Sequence, residues 1–288
     1  MTYWLDLLGA EVRVLSGRYR TRVICAGAGE PLLLLHGTGG HAENYVKNII
    51  PFARHFRVYA FDFLWHGLSS VDSFDPEILP TLVYHTADVL DTLGLDSAHI
   101  EGQSLGGWVA MRFALTFPRR LRKLVLTTTM GYRPDPGAIA GYVEPDRLTL
   151  RPFFLDVLRD PSLENLRRRL GRIVADPAVI PDEALAVRRA FYLDPALNAV
   201  QKQFITEYNG GPGPLLHVVG DAQAAQITAP TLVYWGEQNT APPAVGRRLA
   251  SQIPGARFFC APNTGHWAQF ENYELHNREV LAFLRGGE

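Results

Sequence analysis

Short apolar runs alternate with longer segments of helical periodicity along most of the chain. Six runs of five to eight residues, bounded by Gly, Pro or turn residues, are typical of buried strands. They are LLLLH (32–36), FRVYAFD (56–62), HIEGQS (99–104), KLVLTTT (123–129), APTLVYWG (229–236) and ARFFCAP (256–262). The helical segments are 81–94, 105–117, 242–253 and 269–285. This alternation predicts an α/β fold with a parallel sheet covered on both faces, preceded by an antiparallel pair within 11–25.

The stretch 131–227 interrupts this alternation. It contains no convincing buried strand, and its clearest segments are the Arg-rich amphipathic PSLENLRRRLGRIV (161–174) and PDEALAVRRAFYL (181–193). We therefore expect a helical cap at 131–227, inserted into a core formed by 1–130 and 228–288.

Composition and charge narrow the classes of function. The 288 residues are 47% hydrophobic with a formal net charge of -1, so nucleic acid and anionic membrane are poor candidates as partners. Two cysteines, Cys25 and Cys260, argue against a disulfide framework or a cysteine metal site, and we expect no metal and no cofactor. No window approaches 18 continuous apolar residues and the start carries acids rather than a basic region, so we expect a cytoplasmic protein.

One Gly-x-Ser-x-Gly pattern lies at the junction of a predicted strand and a predicted helix. Gly102 and Gly106 flank Ser104, and the helical pattern LGGWVAMRFA follows it. Glycines at this spacing allow a tight turn that exposes the serine hydroxyl at the helix N-terminus. The competing interpretation, the turn of a dinucleotide-binding fold, lacks a G-x-G-x-x-G motif and a ribose-binding acid. The context therefore predicts that Ser104 is a nucleophile.

An active serine also needs an oxyanion hole and a general base. A second Gly-rich turn, LLLLHGTGG (32–40), ends a strand, and the backbone N–H groups of Thr38 and Leu105 would converge on an oxyanion, each worth roughly 3–4 kcal/mol. His36 in this turn is expected to be structural. His266 lies in the loop between the last strand and the last helix, late in the chain as expected for the base.

Taken together, these motifs resemble one superfamily. HGTGG, FDFLWHGLS, GQSLGG, VYWGEQN and NTGHW occur in the order and spacing of the α/β-hydrolase superfamily, over essentially the whole chain. More narrowly, the chain resembles the meta-cleavage-product hydrolases, which split a carbon–carbon bond in 2-hydroxy-6-oxohexa-2,4-dienoates. The resemblance implies an α/β-hydrolase fold with a mostly parallel eight-stranded sheet and a helical cap.

Substrate-binding residues follow from the narrower resemblance. The segment ENYVKNIIPF (43–52) resembles the family's segment with a substrate-contacting asparagine, for which Asn44 is the best match and Asn48 the fallback. The cap segment IPDEALAVRRAF resembles the family's arginine-bearing helix and assigns that role to Arg188. Trp267 follows the histidine, as in the family. We also expect Gly37, Gly39 and Gln103 at the substrate.

Two positions depart from the family pattern. Gln103 stands before the nucleophile where an asparagine is usual, a change that keeps an amide. Trp65 stands in DFLWHGLSS where a glycine is usual, and we expect it to reshape the edge of the pocket.

The acid of the catalytic triad has no carboxylate at its usual place in the sequence. It should lie three residues after the glycine of PTLVYWG, but this position is Asn239. An asparagine can orient a histidine by a hydrogen bond but cannot stabilise an imidazolium by charge. We favour Asn239 in the place of the acid, with Glu237 as the alternative. A carboxylate after the KLVLTTT strand is a third option, for which Asp135 is the nearest residue.

Three functions remain open at this point. The first is hydrolysis of a carbon–carbon bond in a 2-hydroxy-6-oxo-dienoate, with Arg188 pairing with the substrate carboxylate. The second is a carboxylesterase or lactonase acting on small apolar esters, for which Arg188 would be dispensable. The third is an impaired hydrolase fold used for ligand binding or a non-hydrolytic step, supported only by Asn239. We expect a small-molecule substrate in each case, with a homodimer as a further expectation.

Overall fold

The computed structural model describes residues 2–143, 148 and 151–286. Residues 1, 144–147, 149, 150, 287 and 288 lie outside the described residues. They include the two ends of the predicted core and part of the predicted cap. The limits of these domains therefore stay a prediction.

One eight-stranded sheet forms the centre of the described part of the chain. Its strands are β1 Glu11–Ser16, β2 Arg20–Ala26, β3 Pro31–Leu35, β4 Arg57–Phe61, β5 Ala98–Gln103, β6 Leu121–Thr127, β7 Thr231–Gly236 and β8 Arg257–Ala261. They lie in the order β1-β2-β4-β3-β5-β6-β7-β8. Only the pairs β1–β2 and β2–β4 are antiparallel. The predicted mostly parallel sheet with an antiparallel start is confirmed.

Helices pack on both faces of this sheet, and others lie between β6 and β7 in the chain, in the region predicted as a cap. They are α1 Tyr3–Asp6, α2 Ile49–Ala53, α3 Ile78–Thr92, α4 Leu105–Thr116, α5 Arg151–Arg159, α6 Leu163–Leu170, α7 Asp182–Tyr192, α8 Pro195–Gly210, α9 Asp221–Ala224, α10 Pro243–Gln252, α11 Ala268–Glu271 and α12 Tyr273–Leu284. Alternate residues of β3 point to opposite faces, so Leu33 and Leu35 pack with α3 and α4, while Leu32 and Leu34 pack with α2 and α12. Among the described residues, no helix has the length and apolar character needed to cross a bilayer.

The last predicted helix, 269–285, is in fact two helices. The chain leaves the helical conformation at Asn272, where φ is -128°, between α11 and α12. The Asn272 amide donates to the Thr264 hydroxyl at 2.9 Å. This bond ties the break to the loop that carries His266, and short-range periodicity could not reveal it.

Helices α5–α9 lie between β6 and β7, in the region predicted as a cap. Contacts from this region reach the core turns: the Gln201 amide donates to the Trp65 carbonyl. Trp65 adopts φ 65°, a left-handed conformation that glycine adopts without strain. Its ring packs against Phe74 and Phe204, and it is not among the residues that line the cavity described below. The expectation that Trp65 reshapes the pocket edge is therefore wrong, because its side chain turns into the contact between core and cap.

Candidate active site

Ser104 lies at a strained turn between β5 and α4. Its φ is 56°, which L residues rarely adopt outside special turns. A Cβ on Gly102 would lie 2.2 Å from the Gly106 carbonyl oxygen, and a Cβ on Gly106 would lie 2.1 Å from the Leu35 carbonyl oxygen. The two glycines are therefore needed for the close approach of β5, α4 and β3 that holds the serine in this conformation.

The imidazole of His266 bridges Ser104 and Asn239. The Ser104 Oγ lies 2.9 Å from His266 Nε2, and His266 Nδ1 lies 2.7 Å from Asn239 Oδ1. An amide oxygen only accepts, so Nδ1 carries the proton and Nε2 is free to accept from the serine hydroxyl. This is the tautomer that a general base requires.

The two other candidates for the acid lie elsewhere. The Glu237 carboxylate is exposed and accepts from the Asn263 N–H and the Gln238 amide, both at 3.3 Å. The Asp135 N–H donates to Asp221 at 3.4 Å, in a separate cluster. The geometry therefore favours Asn239 as the partner of His266.

Burial without a counter-charge sets the protonation of His266. Desolvation lowers the pKa of His266 to about 4. A carboxylate at position 239 would oppose this effect, since a nearby negative charge favours the imidazolium. With asparagine there, His266 is a neutral base at pH 7, and its protonated form is poorly stabilised.

Hydrogen bonds between the backbone of the His266 loop and residues of the cap and the core hold this loop in place. The Ile173 carbonyl accepts from the backbone N–H groups of His266 at 2.7 Å and Trp267 at 3.2 Å. The His266 carbonyl accepts from the Gln103 amide at 2.9 Å and the Thr128 hydroxyl at 2.7 Å. Gln103, beside the nucleophile, therefore also holds the histidine in place.

The predicted oxyanion turn lies against the nucleophile. A Cβ on Gly37 would lie 3.0 Å from Ser104 Cβ and 2.4 Å from Gln103 Oε1, so a side chain here would displace the Gln103 amide. Leu105 is the first residue of α4, where the N–H has no acceptor within the helix. The convergence of the Thr38 and Leu105 N–H groups stays a prediction. His36 is buried, accepts from the Phe63 N–H at 3.0 Å and donates to the Gly37 carbonyl at 2.8 Å, the structural role expected for it.

One cavity of about 220 Å³ brings most of the predicted residues together. Eight of them line it: Gly37, Thr38, Asn44, Gln103, Ser104, Arg188, His266 and Trp267. Leu105 and Asn239 lie behind this surface. The described residues contain no cluster of three or more His, Cys, Asp or Glu side chains placed to hold a metal ion.

Gly39 has a different place from the one predicted. It is not among the residues that line the cavity; with φ 63° it turns its carbonyl toward Arg188 and toward the Tyr192 hydroxyl, which donates at 3.0 Å. A Cβ on Gly39 would lie 2.6 Å from the Tyr192 oxygen. We therefore correct the expectation of a direct substrate contact: Gly39 holds the arginine.

Arg188 reaches the cavity from the cap helix α7 and is only 3% exposed. Its guanidinium donates to the Gly39 carbonyl and to Asn44 Oδ1, the latter at 3.0 Å. Asn48, the fallback for Asn44, is buried and donates to the Gln269 carbonyl and to Asn277 instead. Asn44 is therefore the asparagine at the site.

A buried ion network anchors the turn that carries Asn44. The Ala42 N–H donates to Asp62 at 2.7 Å, and the Arg22 guanidinium bridges Asp62 at 2.6 Å and Glu43 at 2.5 Å. These contacts join β2, the end of β4 and the turn at Ala42–Tyr45. They fix the position from which Asn44 meets Arg188.

A second buried arginine at the cavity was missed by the sequence reasoning. Arg169, on α6, is 8% exposed and lines the cavity. A signal for it exists: Leu166, Arg169 and Leu170 recur at helical spacing and are all buried, so Arg169 lies on the apolar face of an amphipathic helix. The dense run of arginines in this segment concealed that position.

The comparisons with known proteins agree with this geometry. The sequence profile of the α/β hydrolase fold family matches residues 30–273. The chain belongs to the α/β-hydrolase family. It is 31% identical to a 2-hydroxy-6-oxo-6-phenylhexa-2,4-dienoate hydrolase of Burkholderia cepacia, over 93% of this chain and 92% of the relative.

Two further matches extend the comparison. The chain is 34% identical to a 2-hydroxy-6-oxononadienedioate/2-hydroxy-6-oxononatrienedioate hydrolase of Paraburkholderia phymatum, over 95% of this chain and 94% of the relative. A solved 2-hydroxy-6-oxo-6-phenylhexa-2,4-dienoate hydrolase from Rhodococcus sp. strain RHA1 shares the fold, with a TM-score of 0.83 at 24% identity, covering 96% of this chain and 99% of that one. Both the fold and the resemblance to dienoate hydrolases predicted from the sequence are confirmed.

Proposed function

We propose that this α/β-hydrolase cleaves a carbon–carbon bond in 2-hydroxy-6-oxo-dienoate ring-fission products. One observation carries the proposal: Ser104 and His266 line the same cavity as Arg188, a buried cation without an acidic partner among the described residues. A guanidinium placed in this way fits a substrate that brings its own carboxylate. The names of the curated relatives support the same substrate class.

The reaction divides into two parts. First the substrate ketonises: its 2-hydroxyl loses a proton and C5 gains one, which gives a vinylogous 1,5-diketone. Then the Ser104 oxygen attacks the C6 carbonyl while His266 accepts the hydroxyl proton. The C5–C6 bond breaks and its electron pair is delocalised into the C2 carbonyl as a dienolate, which takes up the proton held by His266 and leaves as the 2-hydroxydienoate. Water, deprotonated by His266, then hydrolyses the acyl-serine and releases the acid.

Asn239 fits this reaction better than it fits ester hydrolysis. Ketonisation makes the C5–C6 bond breakable before the serine attacks, so the attack carries less of the total barrier. In the serine-protease template, replacing the triad aspartate with asparagine costs about 10⁴ in turnover. An enzyme that depends wholly on serine attack would bear all of that loss.

The two alternative functions meet different objections. A carboxylesterase or lactonase would use Ser104 and His266 in the same way but gives no reason for a buried, acid-free Arg188. A role in binding alone gives no reason for the 2.9 Å contact between Ser104 Oγ and His266 Nε2 or for the left-handed serine.

Bleaching of a yellow dienoate tests the proposal. Purified protein is mixed with 2-hydroxy-6-oxo-6-phenylhexa-2,4-dienoate, and the loss of absorbance is followed together with the products. We expect benzoate and 2-hydroxypenta-2,4-dienoate in equal amounts, and no cleavage by Ser104→Ala. Turnover of p-nitrophenyl acetate without dienoate cleavage would support the esterase instead. Absence of Ser104 labelling by a fluorophosphonate would support the binding role.

We also propose where the chain acts and what it binds. Cys25 and Cys260 are both free thiols, which suits the cytoplasm proposed for the chain. A small-molecule substrate, a homodimer and the lack of nucleic-acid or membrane partners stay predictions.

A further inference from the structure

We propose that Arg169 and Arg188 together bind one head group with two neighbouring oxygen functions, a carboxylate and the oxygen on its α-carbon. The inference rests on the dienoate function proposed above and names the feature by which the site selects its substrates. It gives Arg169 a role in specificity that the sequence motifs do not assign.

Arg169 differs from its neighbours on α6. Arg167 pairs with Asp182 at 2.5 Å, and the exposed Arg168 donates to Asn165 at 3.0 Å. Arg169 instead points inward, where its guanidinium lies over the Phe154 ring at 4.1 Å and donates to the Thr38 carbonyl at 3.4 Å. Helix α6 therefore delivers one arginine into the site and leaves two at the surface.

The cavity has positive charge without a counter-charge. Its lining includes Arg169, Arg172 and Arg188 and no Asp or Glu of the described residues. Among the described residues, Arg169 and Arg188 donate to the carbonyl oxygens of Thr38 and Gly39, to the Asn44 amide oxygen and to the Tyr192 hydroxyl, whose pKa the two arginines lower. Burial, and repulsion from Arg188, lower the pKa of Arg169 to about 10, so Arg169 is still charged at pH 7. Buried cations without an anion are costly, and a bound anion would remove that cost.

Two buried donors at this cavity have no acceptor in the described part of the chain. They are Arg188 Nε and Trp267 Nε1. The Arg188 guanidinium also lies 5.9 Å from the centre of the Trp267 ring, so the two unpaired N–H groups belong to one neighbourhood. Unpaired buried donors require an acceptor, and oxygens of a bound substrate would supply it.

The two guanidinium groups lie too close together to bind the opposite ends of a long diacid. Arg169 donates to the carbonyl of Thr38 and Arg188 to the carbonyl of Gly39, the next residue. Consecutive Cα atoms are only about 3.8 Å apart, and a Cβ on Gly39 would lie 3.2 Å from Arg169 Nη2. The Tyr192 hydroxyl accepts from Arg169 at 3.4 Å and donates to the same Gly39 carbonyl. Both cations therefore meet one end of a substrate, where a 2-hydroxydienoate carries its carboxylate and its 2-oxygen side by side.

The test compares two acids that differ only in the α-oxygen. Calorimetry measures the binding of 2-oxohexanoate and of hexanoate to the whole protein and to Arg169→Met and Arg188→Met. We expect the wild type to prefer 2-oxohexanoate, Arg169→Met to lose about 10- to 100-fold in affinity for it with little change for hexanoate, and Arg188→Met to weaken both. Arg168→Met, which removes an exposed charge from the same helix, should bind both acids as the wild type does.

The proposal is overturned if Arg169→Met binds both acids as tightly as the wild type, or loses affinity for both equally. Thermal melting shows that the variants are folded, and 2-oxohexanoate should raise the melting temperature of the wild type more than that of Arg169→Met. The readout is binding, so it does not depend on turnover. Failure to cleave a dienoate together with an intact preference for the 2-oxo acid would refute the proposed reaction and leave this site standing.

Discussion

The Nδ1 of His266 lies 2.7 Å from the amide oxygen of Asn239, in the place where a serine hydrolase ordinarily has a carboxylate. The Thr240 hydroxyl donates to the same oxygen at 3.4 Å, so two donors face it. This arrangement keeps His266 in the working tautomer but gives its protonated form no charge partner. The chain thus keeps the orienting function of the triad acid without its electrostatic function.

The pH dependence of ester hydrolysis should reflect this absence of charge. His266 acts as a base only when neutral, and burial lowers its pKa to about 4. For a neutral ester, the kcat/KM at pH 5 should therefore be about nine-tenths of its value at pH 7. A profile that is half-maximal near pH 6.5 would contradict the account. In Asn239→Asp the acid limb should move to higher pH, because a nearby negative charge favours the imidazolium.

Stability should fall on mild acidification. Burial lowers the pKa of His66 and His266 to about 4 and that of His85 to about 3, so the folded chain keeps them neutral at pH 5. Unfolded histidines have a pKa near 6.5, so at pH 5 the unfolded chain binds protons that the folded chain does not. The free energy of unfolding therefore decreases as pH falls from about 6.5 to about 4.

Urea midpoints at pH 7 and pH 5 measure this effect. The midpoint should be lower at pH 5, and His85→Phe should reduce the difference between the two values. His55 is exposed, so His55→Gln serves as the control and should leave the difference unchanged. Equal midpoints in the wild type would show that these histidines are protonated in the folded state.

A side chain at Gly37 should reduce activity by displacing Gln103. A Cβ there would lie 2.4 Å from Gln103 Oε1 and 3.0 Å from Ser104 Cβ, so Gly37→Ala displaces the side chain that holds the His266 carbonyl. We expect kcat/KM to fall about 100-fold, the usual cost of misplacing reacting groups by about 1 Å. Gly220→Ala, where a Cβ meets nothing within 4 Å, is the control. Full activity of Gly37→Ala would mean that the turn can move without cost.

Replacement of Arg188 should slow dienoate cleavage far more than ester hydrolysis. Arg188→Met removes the cation proposed for the substrate carboxylate, so dienoate cleavage should fall about 100-fold or more, while p-nitrophenyl acetate hydrolysis falls far less. Arg189→Met, at the exposed neighbouring position, should behave as the wild type in both assays. An equal loss in both reactions would indicate that Arg188 supports the fold rather than the substrate.

The sequence was sufficient for the elements with strong local signals. The strands are short and apolar, and the order of Ser104 and His266 along the chain follows from the fold, so both could be placed before the structure was known. Asn239 could be located by its distance from a strand-ending glycine. Whether Asn239 or Glu237 meets His266 depends on which side chain points inward, and only three-dimensional structure decides that.

The misses have a common physical origin in tertiary contacts. The sequence predicts Gly39 at the substrate, but its carbonyl meets an arginine from a helix about 150 residues further along the chain. The sequence predicts Trp65 at the edge of the pocket, but a helix from the predicted cap region covers it. Arg169 was hidden among surface arginines because its role depends on the turn that α6 faces. Each depends on how the cap lies on the core, which local patterns do not encode.

Ester hydrolysis by Asn239→Asp tests the central claim most directly. The account holds that His266 lacks a charge partner at position 239, so restoring a carboxylate should raise the kcat/KM for p-nitrophenyl acetate by about 10²- to 10⁴-fold. Glu237→Gln removes the nearby exposed carboxylate. It should leave the rate unchanged, both in the wild type and in Asn239→Asp. An unchanged rate in Asn239→Asp, or a loss of activity in Glu237→Gln, would contradict the claim.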